Sequence, residues 1–167
     1  LPIDPEIMER EIAALPESAC MIKGEKISVY CAEAWQISST LLEIGRLREK
    51  TFREVGEGTG KSIDNDEFDQ YYLHMFMWDA ENKRIAGAYR IGRTDKIINS
   101  LGVQGLYVST LFKIRPELLD DHFDAALGLG VGRPVRFRGI FAPLLRGRRG
   151  ALNSRRVARL EVHYALA

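Results

Sequence analysis

Tyr72–Asp79 (YLHMFMWD) and Arg84–Ile91 (RIAGAYRI), joined by Ala80–Lys83 (AENK), form the stretch that decides how this chain folds. Two short apolar and aromatic runs around a four-residue polar connection predict a β-hairpin. Working backwards, Ser38–Val55 carries Leu41, Ile44, Leu47, Thr51 and Val55 at helical spacing, which predicts an amphipathic helix buried along that stripe. Lys26–Glu33 (KISVYCAE) predicts a strand, and Asp4 before Pro5 predicts a capped helix that reaches about Leu15, where Pro16 stops it. Working forwards, Thr94–Ser100 predicts a short helix and Gly105–Ile114 a strand or buried turn. Pro116–Asp120 then predicts a helix and Asp124–Leu129 a strand. Interleaved helices and strands without an internal repeat predict an α/β chain.

With 167 residues the chain suits one domain around one core. An apolar fraction of 46% beside 28% charged residues excludes wholesale disorder. No apolar run approaches the roughly 18–20 residues that span a bilayer. The first residues, LPIDPEIMEREIAALPE, are acidic and lack the order of a signal peptide, so a cytoplasmic protein is expected. A start at Leu1 instead of methionine reads as a chain trimmed or cut from something larger. Cys20 and Cys31 fit neither a zinc spacing nor a disulfide framework and read as reduced thiols. Charge is split unevenly along the sequence. Residues 1–124 hold 15 Lys and Arg against 22 Asp and Glu, whereas residues 125–167 hold 9 Arg, no Lys and the single acid Glu161.

Val55–Ser62 (VGEGTGKS) is one residue short of a phosphate-binding loop, with Val55 standing where that loop needs glycine. A helix precedes it, an acidic connector follows, and Glu57 would repel phosphate, so a glycine-rich turn is expected instead. Asp64, Asp66, Glu67 and Asp69 form an acidic cluster that lacks the glycine and glutamate of a calcium loop. It reads as a solvated loop or, given basic partners in the fold, as an electrostatic site for an amine. Arg48 and Arg90 are candidate partners, and Phe52 lies one helical turn beyond Arg48. His74 reads as structural, and His122 and His163 have no metal-like partners. No nucleophile motif is present, which suits direct group transfer.

In order, Glu43–Lys61 (EIGRLREKTFREVGEGTGK), Asp64–Tyr72 (DNDEFDQYY), the hairpin ending GAYRIG, and Gly105–Phe112 (GLYVSTLF) resemble one family closely over roughly residues 10–127. It is the bacterial GNAT-like N-acyltransferases often labelled hemolysin-like, which include ornithine-lipid synthases and are distantly similar to acyl-homoserine-lactone synthases. The resemblance implies a GNAT-like α+β fold, a central mixed sheet flanked by helices. It implies lipid metabolism: transfer of a fatty acyl group from acyl-ACP or acyl-CoA, as co-substrate, to an amine. Carried over one position at a time, it implies Arg48, Asp66, Asp69 and Arg90 as catalytic positions and Phe52, Phe68 and Phe112 as substrate-binding ones. It implies no bound cofactor and no metal. The partner would be an acyl carrier protein or coenzyme A thioester, with peripheral contact at the inner membrane face. A homoserine-lactone-type synthase ranks lower, because Arg53–Gly60 lacks the aromatic residue those enzymes carry there.

Where the family continues E-L-G-R, this chain reads Gly128-Leu129-Gly130-Val131, so a catalytically impaired homologue acting as a binding module is the alternative. Residues 1–129 are therefore expected to form the GNAT-like domain, and residues 130–167 to be an arginine-rich segment foreign to it, as from a shifted reading frame. Arginine there has little aromatic interleaving, so no nucleic-acid partner is expected.

Overall fold

The computed structural model describes residues 1–114 and 126–131. Helix α1 (Pro5–Ala13) is followed by strands β1 (Cys20–Ile22) and β2 (Ile27–Glu33) and helix α2 (Ser38–Glu54). Strands β3 (Leu73–Asp79) and β4 (Arg84–Gly92), helix α3 (Thr94–Leu101) and strand β5 (Ala126–Val131) complete the regular elements. The sheet runs β1-β2-β3-β4-β5 in sequence order. β1 and β2 pair antiparallel, as do β2 and β3, the latter with Ala32 opposite His74 and Tyr30 opposite Phe76. β3 and β4 are neighbours joined by four residues, a connection short enough only for an antiparallel pair. The described residues divide into two compact units, one of residues 1–90 and 129–131, the other of residues 91–114 and 126–128.

Hairpin and helices agree with their expected positions to within one or two residues. β3 is buried on both faces, which explains its almost continuous apolar run. Phe76 and Trp78 join Met8 and Ile12 of α1 and Leu41 and Ile44 of α2 in one cluster, so both helices cover the same sheet face. Gly105–Ile114 is not a strand: it makes two 3-10 turns, Val103–Gly105 and Tyr107–Thr110, and exposes Leu111 and Phe112. The expected strand near residue 124 begins at Ala126, while the helix at Pro116–Asp120 and the arginine-rich segment beyond residue 131 lie outside the described residues.

The stripe expected on α2 is buried at Leu41 and Ile44, with Leu47 packed against the core, but it stops short of the helix end and is widened by charged residues. Val55 is exposed, and the helix buries Glu43, Arg48 and Glu49 beside Leu41 and Ile44. Its N-cap Ile37 offers no side-chain acceptor, and Glu11 of α1 supplies one across 28 residues of sequence. The Glu11 carboxylate accepts from the Ser39 and Thr40 amides, each at 2.8 Å, and from the Thr40 hydroxyl at 2.7 Å. Although burial works the other way, these bonds hold the Glu11 carboxyl below its ordinary value. Glu11→Ala is therefore expected to cost about 1–2 kcal/mol, as loss of an N-cap does, read from the urea midpoint.

Candidate active site

Four of the expected positions meet at one end of the helix-covered core. Along β3 the side chains on that face run Trp78, Phe76, His74, and on β4 Arg90 lies two residues beyond core residue Ala88. α2 brings Arg48, and the connector after it folds back over the helix through the 3-10 turn Glu67–Gln70. Gly45 makes that return possible: a Cβ there would lie 1.8 Å from Asn65 Oδ1, and its carbonyl accepts the Asp64 amide at 3.1 Å.

Asp69 is the hub. Its carboxylate accepts from Arg48 Nη2 at 2.7 Å and from Arg90 Nη1 at 3.0 Å, and also receives the Asp66 amide. Arg48 further binds the side chain and carbonyl of Asp64, and Arg90 binds Asp66 Oδ1 at 2.5 Å. Burial alone would raise the Asp69 carboxyl, but the Arg48 bond and both guanidinium charges outweigh it and hold the group below its ordinary value. Desolvation opposes the charge of Arg90 too, yet Asp69 and Asp66 keep its pKa above the ordinary arginine value. The rings of Tyr72 and Phe68 lie 5.2 and 5.7 Å from the Arg90 guanidinium carbon.

Exposure separates the members. Arg48 and Asp69 side chains are 3% exposed and Arg90 1%, so solvent reaches the cluster mainly through Asp66, at 35%. Three carboxylates, Asp64, Asp66 and Asp69, face two guanidiniums, which leaves one negative charge in excess. Phe68 is buried beside Arg90 and Phe52 is half-buried on α2. Phe112 is 69% exposed in the other compact unit. Asp64, Tyr72 and His74 were not among the expected site residues. Asp64 was legible as part of the acidic run, whereas nothing in the sequence marks the other two as partners of Arg90 or Asp69.

The glycine-rich turn is filled from within. Glu49, the neighbour of Arg48 on α2, accepts from the Thr59 amide at 2.9 Å, the Thr59 hydroxyl at 2.7 Å and the Gly60 amide at 3.0 Å. Bonds from Thr59 and Arg53 pull its carboxyl down to about 2, so it stays charged throughout the neutral range. The amides that a phosphate loop would offer are thus held by a carboxylate. Calorimetry with ATP is expected to give no binding heat; micromolar binding lost in Lys61→Ala would refute this.

Among the described residues, no group of three or more His, Cys, Asp or Glu is placed to hold a metal ion. Nor is any of their helices long and apolar enough to cross a membrane. Residues 47–133 match the Acetyltransferase (GNAT) domain family, a segment that holds Arg48, the acidic turn, the hairpin and β5. Proteins named Glycine N(alpha)-acyltransferase from Bacteroides thetaiotaomicron and Phocaeicola vulgatus are each 29% identical over 133 residues. The matches cover 77% of this chain but only 39% and 40% of those proteins, so the chain spans about two fifths of their length. No solved structure matches the chain.

Proposed function

The chain belongs to the GNAT acetyltransferase domain family, and from that premise we propose that it transfers an acyl group from a thioester to the amine of a small amino acid. The carrying observation is the solvent-facing Asp66 on a sealed cluster with one negative charge in excess. Such an edge receives an ammonium group, whose proton passes to the Asp66 carboxylate and from there to solvent. The free amine then attacks the thioester carbonyl: a C–N bond forms, the C–S bond breaks, and the thiol leaves with a proton. In this reading Asp66 meets the amine, and Arg48, Asp69 and Arg90 fix its place. The glycine acyltransferases named above support an α-amino acid acceptor, and GNAT membership supports coenzyme A as thiol carrier. A fatty acyl group, a carrier-protein donor, an aminolipid product and membrane contact rest on the motif resemblance alone.

The test is an assay of long-chain acyl-CoA and acyl carrier protein against glycine, ornithine and other amines, reading the N-acyl product by mass spectrometry. An amide product dependent on chain and amine supports the proposal, and its absence with every pair refutes it. A second reading has one observation behind it. Gly128 and Val131 on β5 stand where the family carries glutamate and arginine, which favours a binding module; thioester binding without turnover in the same assay would select it.

A further inference from the structure

Asp69 is gripped from two sides. Its carboxylate is bound by Arg48, Arg90 and the Asp66 amide, and its backbone carbonyl lies 2.8 Å from Nε2 of His74. His74 is 1% exposed, on the helix-covered face of β3, with Ala32 opposite it on β2. A carbonyl oxygen only accepts, so Nε2 carries the proton and donates. The charged groups around the ring are Arg48 from α2, Asp69 from the 3-10 turn and Arg90 from β4. Burial first, then both guanidiniums, favour the neutral ring, against the Asp69 carbonyl and carboxylate; the net effect lowers its pKa. Phe76 and Trp78 on the same face belong to the apolar cluster, whereas His74 is the position where that face turns to a hydrogen bond.

We propose that His74 is a positioning residue of the amine site: its Nε2–H holds the Asp69 carbonyl, and with it the turn that aims the Asp66 carboxylate at the acceptor. The inference rests on the acyl-transfer reading. Asp69 joins the two ends of this chain of contacts, since the carbonyl His74 binds and the carboxylate that binds the Asp66 amide belong to one residue. Protonation of the ring would add a third cation to the cluster and cancel the negative excess that receives the ammonium group. Acceptor affinity is therefore expected to weaken as pH falls through the lowered His74 pKa.

The test compares His74→Leu, which removes the donor, with His74→Gln, whose amide nitrogen replaces Nε2. kcat and KM for the acceptor are measured from about pH 8 down past the ordinary histidine value of about 6.5, as far as the chain stays folded. Leu is expected to lower kcat/KM for the amine about tenfold, the worth of one buried hydrogen bond, with KM for the thioester unchanged. Gln is expected to recover most of that loss and to lose the part of the acid limb that the imidazole contributes, keeping the part set by the amine and Asp66. In the full chain, long-range proton–nitrogen spectra should show the Nε2–H tautomer, and the Phe68 and Asp69 amides should exchange faster in Leu than in Gln. A Leu variant with parental kinetics, a Gln variant no better than Leu, or an Nδ1–H tautomer would overturn the proposal. Tautomer and amide exchange are read without turnover, so a chain that acylates no amine would sink the functional reading while these still decide His74. If Leu does not fold, the parent spectra and the Gln profile carry the same decision.

Discussion

Asp69→Asn is expected to lower stability by about 3–5 kcal/mol, because it leaves two buried guanidiniums short of their shared carboxylate. Asparagine keeps the volume and one acceptor oxygen, so the loss measures charge and not a cavity. Urea unfolding should show a lower midpoint at unchanged slope. The pH dependence follows from the direction of the shift. The folded carboxyl titrates below its ordinary value, so its contribution is complete above the unfolded value of about 3.9 and is lost as pH falls through the folded one. The deficit of the variant should therefore be constant from about pH 7 to 5 and shrink below about pH 4. A deficit of only about 1 kcal/mol at neutral pH, the worth of a surface pair, would mean that water reaches the cluster in solution.

The elements that could be read from the sequence are those whose own residues carry the pattern. β3 and β4 announce themselves by apolar runs around a turn, and α2 by its period. The apolar stripe of α2 is buried at Leu41 and Ile44, but the charged residues buried with it were not legible, for a physical reason. Glu43, Arg48 and Glu49 are charged, and charge is ordinarily assigned to solvent. Their burial depends on partners 10 to 40 positions away: the Ile3 amide for Glu43, Asp69 for Arg48, and the Thr59–Gly60 turn for Glu49. No local pattern contains those distances. β1 is three residues long, too short for any period to register. The motif order brought Arg48, Asp66, Asp69 and Arg90 together on paper, as the fold does in space. It could not say that solvent reaches Asp66 while the other three are sealed, the distinction on which the proposed roles rest.

Asp66→Asn is expected to leave the fold in place and remove most of the activity. Asp66 Oδ1 caps the 3-10 turn by accepting from Phe68 and Asp69 amides at 3.0 and 3.2 Å, and asparagine serves as well at that position. The partner lost is one of Arg90's carboxylates; Asp69 remains, and Asp66 is exposed enough for water to take part of its place. What disappears is the negative excess at the edge where the ammonium group would dock. On the proposed mechanism kcat/KM for the amine should fall about 100-fold or more, the range of a lost proton-transfer group, while KM for the thioester stays within a few-fold of the parent. Glu67→Gln is the control: it removes the same charge from the next residue of the same turn, which is exposed and makes no ion pair with Arg90 or Arg48. Its effect should stay within about threefold, as for a screened surface charge. Equal losses in the two variants would assign the effect to the general field of the acidic turn. A fully active Asp66→Asn would remove the carboxylate from the reaction and leave the cluster as a clamp that only ties the connector to α2.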